Sequence, residues 1–425
     1  MGAAAVAACG LPNLGARAPQ QVSGNLLIWG WDSYLEVWRM TEAGFKALQP
    51  HVTVKHEVLA VPQGQSRDDL IIAAFAGGAA ADIWTHDVTP SWQQGFVERK
   101  MVLALDEYYA RLPNLKRVFP WARKMTMING KTWGVPNEVE YIAVFHNKPV
   151  FEKLNVQDVP ETWDGYLRLG GLLKAAGIQP QAQQNLPNYG HLFSLMFAGR
   201  LGRSGQEDIL FREGRWDSEA CLDVGRAVRE LQAAGILPAD PLGPDAPRLP
   251  GDFHTGKVGL WMTGTWAMNT FDRDKQNVAG FDYDHFPIPP LPRSGLKPQL
   301  AMGLGGGWHV NGATGQREAA AVWLDFQFAP ENQRAWIEGV FEIPPVPFKP
   351  EDFRVSPGKQ RVLRLLAGSG DLALNMMPLV SGTFRPYFWE TAQALLEAKI
   401  GVSEWGARLQ QRWEQEKREG KVPKP

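Results

Sequence analysis

Apolar positions along this chain alternate between the period of a strand and that of a helix. Leu26 to Trp29 is a short apolar run that predicts a strand, broken by Gly30-Trp31-Asp32-Ser33. Ser33 is placed to cap a helix running to about Leu48. Val52 to Leu59 alternates with a period of two and predicts a second strand. Asp68 to Phe75 has the spacing of an amphipathic helix, with Gly77-Gly78 beyond its end. Asp82-Ile83-Trp84 predicts a third strand, followed by a loop at Thr85-His86-Asp87. Strands alternating with helices predict a lobe rich in parallel sheet.

The stretch from Asn129 to Leu169 organises the rest. Asn129-Gly130 is a turn pair, and Trp133 to Pro136 is apolar enough for a strand that Pro136 ends or places at an edge. Tyr141 to His146 predicts a strand buried on both faces. Between them lie Asn137, Glu138 and Glu140, polar groups that need partners or a solvated cleft. A second lobe takes over after Tyr141. Its predicted helices run from a Thr162 cap to Ala176, from Tyr189 to Leu201, and from Ser218 to just before Gly235. A strand at 256–262 leads into a turn at Gly264-Thr265-Trp266. A strand at Leu300 to Leu304 runs into Gly305-Gly306-Gly307-Trp308. Beyond it, helices are predicted at Gln316 to Phe328, from Pro330, at 358–366, at 386–399, and at 403–418 with Ser403 as cap. The predicted division is 25–140 with 307–345 in the first lobe and 141–306 with 346–425 in the second. The chain then crosses between lobes near 139–143, 305–308 and 340–350.

With 425 residues the chain has room for two or three domains. A formal net charge of -1, without a prominent basic run before the C-terminal end, argues against nucleic acid or an anionic membrane surface as the main partner. No apolar run reaches membrane-spanning length. The 17 Trp outnumber the 8 Tyr. An indole needs a partner for its N–H when buried but stacks well on sugar rings, which favours carbohydrate as a ligand. Cys221 falls in a helical pattern and predicts a buried small apolar residue. Cys9 ends Val6-Ala7-Ala8-Cys9, similar to the site where exported lipoproteins receive lipid; the alternative is an arbitrary alanine-rich start. Residues 10–24 have the composition of a flexible tether.

Several chemistries lack their signatures. Gly303 to Gly307 has neither the Lys-Ser/Thr ending of a phosphate loop nor the spacing of a dinucleotide fingerprint. The histidines are scattered without metal-ligand spacing, and no nucleophile elbow occurs. No cofactor or metal is expected. Glu138 and Glu140 share a face if their segment is extended, and both would then lie on one side of a substrate. Accepting hydrogen bonds from sugar hydroxyls explains that better than glycoside hydrolysis, which needs carboxyls across the sugar. Trp323, Trp336, Trp405 and Trp413 have helical spacing and predict packing residues, whereas Trp31, Trp84, Trp266 and Trp308 each follow a strand. In open α/β sheets ligands bind beyond the carboxyl ends of strands.

Asn129-Gly130-Lys131-Thr132-Trp133-Gly134-Val135-Pro136, the strand ending His146-Asn147-Lys148, and the helix start Thr162-Trp163-Asp164 resemble the first crossover of family-1 extracellular solute-binding proteins of ABC importers. His146 stands where the family has tyrosine. Val139-Glu140 falls where the maltose- and maltodextrin-binding members carry a ligand-contacting Val-Glu pair. Trp84-Thr85-His86-Asp87, Gly264-Thr265-Trp266, the glycines 305–307, and Met377-Pro378 before Phe384 to Trp389 follow the family order. Segments 100–125, 200–215 and 340–375 match little. The resemblance implies an α/β, two-lobed periplasmic-binding-protein fold of type II, with a ligand cleft between lobes joined by a multi-strand hinge. It implies an exported, monomeric sugar-binding component that delivers its ligand to a membrane permease. The candidate ligand contacts are Trp31, Asp32, Trp84, Asp87, Asn137, Glu138, Glu140, Tyr189, Trp266, Gly306, Trp308, Phe384 and Arg385, with Cys9 as candidate lipid anchor. Two alternatives are a carbohydrate-active enzyme using Glu138 or Glu140, and the same fold binding a non-sugar solute such as a polyamine.

Overall fold

The structure is a computed structural model that describes residues 21–62, 66–183, 189–238, 240, 243, 246–368 and 372–422. Cys9 and most of the predicted tether lie outside the described residues. The strands in chain order are β1 (Gly24–Gly30), β2 (Val52–Val58), β3 (Ile83–Asp87), β4 (Met127–Ile128), β5 (Lys131–Thr132), β6 (Val135–Pro136), β7 (Val139–Asn147), β8 (Gln179–Ala182), β9 (Val258–Gly264), β10 (Tyr283–Phe286), β11 (Ala301–Leu304), β12 (Gly306–Val310) and β13 (Ala373–Leu374).

Two sheets carry the fold. The first has the order β2-β1-β3-β12-β6, with β1 parallel to β2 and β3, and β12 antiparallel to β3 and β6. The second has the order β13-β11-β7-β9-β8, with β10 also paired to β7. All nine residues of β7 are buried, as its apolar run on both faces requires. Tyr141, Ala143 and Phe145 face a cluster with Phe253, Phe271 and Phe281. Ile142 and Val144 face the opposite side, with Tyr166, Leu192 and Met262.

The chain passes between the sheets at two adjacent places. Only Asn137 and Glu138 separate β6 from β7, and only Gly305 separates β11 from β12. Backbone bonds tie these crossings together: the Gly305 N–H donates to the Glu138 carbonyl at 3.1 Å, and the Asn137 N–H to the Gly306 carbonyl at 2.9 Å. A third segment joins them where the Val139 N–H donates to the Ile343 carbonyl at 2.8 Å. Glycine is needed here for close approach. A Cβ on Gly307 would lie 2.3 Å from the Val135 carbonyl oxygen, which is backbone and cannot swing away.

Local signals match in most places and differ in instructive ones. Thr162 and Ser218 cap the helices Trp163–Ala175 and Glu219–Ala233 through their side chains. Ser33 does not cap the helix Asp32–Leu48: its hydroxyl donates instead to Glu342 at 2.6 Å, and Trp31 occupies the cap position. Gly401, not Ser403, precedes the last helix, Val402–Arg418. The helix from Tyr189 continues past a kink at Gly202 (φ 59°) to Phe211. The predicted loop Thr85-His86-Asp87 is strand, because β3 is paired on both sides and β12 supplies partners as far as Asp87.

Candidate ligand-binding cleft

Where the strands cross, the two lobes enclose a cavity of about 860 Å³. Its lining includes Trp31, Asp87, Trp92, Glu138, Glu140, His191, Trp266, Gly306, Glu342, Arg385 and Trp389. Strand ends and helix starts place these groups. Trp31 follows β1, Asp87 ends β3 beside Gly306 in the sheet register, and Trp266 follows β9. Three of the indoles are seated on bare glycine backbone. A Cβ would lie 1.9 Å from the Trp31 ring on Gly306, 1.6 Å from the Trp266 ring on Gly264, and 2.3 Å from the Trp389 ring on Gly190. The fourth indole, Trp92, belongs to the first-lobe helix Pro90–Glu98, and the Arg385 guanidinium of the second lobe sits over its ring at 3.3 Å. A cation over an aromatic face is attractive, so this pair bridges the helices Pro90–Glu98 and Phe384–Leu396 beside the cavity. Nearby, the Gly382 N–H donates to Gln94 Oε1 at 2.8 Å.

Carboxylates form the floor. A Cβ on Gly305 would lie 2.5 Å from Glu138 Oε2 and 2.7 Å from Glu140 Oε2, so both carboxylates crowd the same bare Cα. Glu342 joins them, accepting bonds from Ser33 and, at 3.4 Å, from the Asn137 amide. Burial, then the charges of Glu140 and Glu342, pushes Glu138 well above the usual carboxylate range. Burial, then Asp87 and Glu342, does the same to Glu140. Asp87 is raised by burial against the opposing charges of His86 and Arg385. His86 in turn bonds Asp68 through Nε2 at 2.6 Å.

A family profile described as bacterial extracellular solute-binding protein matches residues 33–334. The chain belongs to that family. Among the relatives of this solute-binding protein, a maltooligosaccharide ABC transporter solute-binding lipoprotein of Streptococcus pneumoniae is 25% identical over 231 residues, 52% of this chain and 50% of the relative. The chain spans about half the length of the curated relatives it matches. A chitin oligosaccharide binding protein superposes with a TM-score of 0.75 at 20% identity, covering 92% of this chain and 98% of its own. A cyclic alpha-maltosyl-1,6-maltose binding protein from Arthrobacter globiformis does so with a TM-score of 0.70 at 17% identity, covering 92% and 98%. These likenesses carry the two-domain periplasmic-binding fold.

The solute-binding protein brings Trp31, Asp32, Asp87, Glu138, Glu140, Trp266, Gly306 and Arg385 to one cavity, as a set read from sequence. Five others in that set lie elsewhere. Trp84 is fully buried within β3 against Phe75, Phe96 and His309, because β3 continues through it as a strand and the helices Arg67–Ala76 and Pro90–Glu98 pack Phe75 and Phe96 on its ring. Trp308 is fully buried among Tyr34, Trp323, Phe328 and Trp336. Tyr189 and Phe384 are core residues of the second lobe, Phe384 packed on Trp216 and Trp413. Asn137 is buried in the hinge and positions Glu342 instead of lining the cavity. Sequence reasoning missed Trp92, His191, Trp389 and Glu342. The signal for Trp389 was present: Arg385 and Trp389 are four apart and share the cleft face of the helix Phe384–Leu396, while Phe384 and Phe388 share its core face.

The carboxylate floor predicts a pH response. Burial pushes Glu342 up to about 7 against bonds that lower it. A carboxyl raised by folding takes up a proton as the chain folds, so its stabilisation is complete below the unfolded value and lost as pH rises through the folded one. Stability of the ligand-free protein should therefore fall between about pH 4.5 and 7, with Glu342 contributing on the order of 1–3 kcal/mol. Melting temperatures of wild type and Glu342→Gln across that window should converge at the acidic end. Parallel curves would remove Glu342 from the explanation.

Proposed function

We propose that this solute-binding protein takes up a saccharide of two or more units in the interlobe cleft and delivers it to the permease of an ABC importer. One observation carries the reading: four indoles from both lobes and several carboxylates line a single cavity at the strand crossings. Indole faces stack on sugar rings, and carboxylates accept hydroxyl hydrogen bonds. A cavity of about 860 Å³ is in the range of roughly 300–1,000 Å³ usual for small-ligand sites. Relatives and structural neighbours that include maltooligosaccharide and chitin oligosaccharide binders support saccharide over other solutes. In this reading the lobes, 25–140 with 307–345 and 141–306 with 346–425, bend about the crossings and close on the ligand. Attachment of the exported protein to the membrane is assigned to acyl chains on Cys9, and stable anchoring needs more than one chain.

The test is calorimetry against mono-, di- and oligosaccharides, paired with small-angle scattering. We expect one-to-one binding without products after prolonged incubation, and a smaller radius of gyration at saturation. Turnover of the saccharide would replace this reading with an enzymatic one, and an unchanged radius would remove the closure.

A further inference from the structure

The cleft carries more carboxyl groups than hydroxyl recognition requires. Five carboxylates line it, from Asp32, Asp87, Glu138, Glu140 and Glu342, against one guanidinium, Arg385. That guanidinium stacks on Trp92 and its charge acts on Asp87 and Asp68, while its Nη1 has no hydrogen-bond partner among the described residues. Glu342 accepts from Ser33 and Asn137, and Glu138 from the Gly306 backbone. Glu140 is different. It is 6% exposed, lines the cavity, and its carboxylate makes no hydrogen bond or ion pair among the described residues. The side-chain charges acting on it, Asp87 and Glu342, are like-signed. A carboxylate that faces the cavity with no protein partner is free to take one from a ligand, and a neighbouring carboxylate crowded over the same glycine favours a cationic one.

We infer that the ligand is a saccharide bearing a protonated amine, whose ammonium group is held by Glu140 and Glu138 over Gly305. This rests on the saccharide reading and names the substrate class. An ammonium supplies three N–H donors and the missing positive charge together, which a hydroxyl cannot do. The aromatic wall suits the same group. The Trp31 ring lies against Gly306, the residue next to Gly305, and already has the Arg67 guanidinium over it at 6.0 Å, so an indole that accepts a cation stands beside the carboxylates. An N-acetylated sugar would bring an amide of similar position but no charge.

The experiment is isothermal titration of the full chain with glucosamine oligosaccharides, their N-acetylated counterparts and malto-oligosaccharides of equal length. It is run as a pH series from mildly acidic to neutral, because the sugar amines must hold their proton while the Glu138 and Glu140 carboxyls, raised by burial, must lose theirs, with spermidine as an amine without a sugar ring. The glucosamine series should bind about tenfold or more tightly than either neutral series. Glu140→Gln should shrink that preference about tenfold, the wild-type comparison standing even if the variant folds poorly. Equal or tighter binding of the neutral series overturns the inference and leaves the saccharide reading intact. Spermidine binding without any saccharide binding, or no binding at all, overturns both.

Discussion

Replacing Trp308 by alanine is expected to lower the stability of the protein by about 3–5 kcal/mol. The residue lies in β12, the strand that follows the passage at Gly305, and is fully buried. Its indole contacts four other aromatic rings, from Tyr34, Trp323, Phe328 and Trp336, at centroid distances of 5.2, 5.6, 5.8 and 5.6 Å. Those rings come from the helix Asp32–Leu48, the helix Arg317–Gln327 and the segments that follow it, so none can shift to fill the void without moving an element. Trp308 does not line the cleft, and ligand affinity of the folded variant should stay within about threefold of wild type. Thermal or denaturant melting checks the first number and calorimetry the second. A variant that melts normally but binds poorly would return Trp308 to the binding surface.

Trp266→Ala should show the reverse pattern. The indole lines the cavity, is half-buried, and rests on Gly264 with His191 at 5.2 Å in an edge-to-face arrangement. Aromatic stacking on a planar base contributes about 1–3 kcal/mol and is the nearest calibrated analogue for a sugar face. Affinity for the cognate saccharide should fall roughly tenfold to a hundredfold. The melting temperature should drop less than in Trp308→Ala, because one face of the ring is already open to the cleft. Wild-type affinity in this variant would mean that the saccharide stacks elsewhere, and Trp31 and Trp389 would be the next residues to truncate.

These opposite expectations for two tryptophans mark the boundary of what sequence can decide. Both follow or enter strands next to glycines, and position alone made both candidates for ligand contact. Trp266 stands at the end of β9, where the strand stops and the chain turns. Trp308 looked similar, but β12 continues through it, paired to β3 on one side and β6 on the other. The same misjudgement placed Trp84 in a loop, when β12 extends the pairing of β3 to Asp87. Strand length depends on partners far away in the chain, and a local window does not contain them.

The sequence by itself determined the alternation of strands and helices, the buried character of β7, the helix caps Thr162 and Ser218 and the passage between sheets at Gly305, while the passage expected near 139–143 lies at Asn137-Glu138. These depend on periodicity, capping chemistry and glycine, all of which act within a few residues. It also singled out Glu138, Glu140, Asp87 and Trp266, which the cleft brings together. Tertiary structure alone decided which face of each element meets the cavity. It chose Trp389 over Phe384 on one helix, recruited Trp92 and Glu342 from distant segments, and turned Ser33 from a cap into a partner of Glu342. The reason is that a cleft between lobes is made of surfaces that only packing brings together, so its membership is a property of the packed elements and not of any one of them.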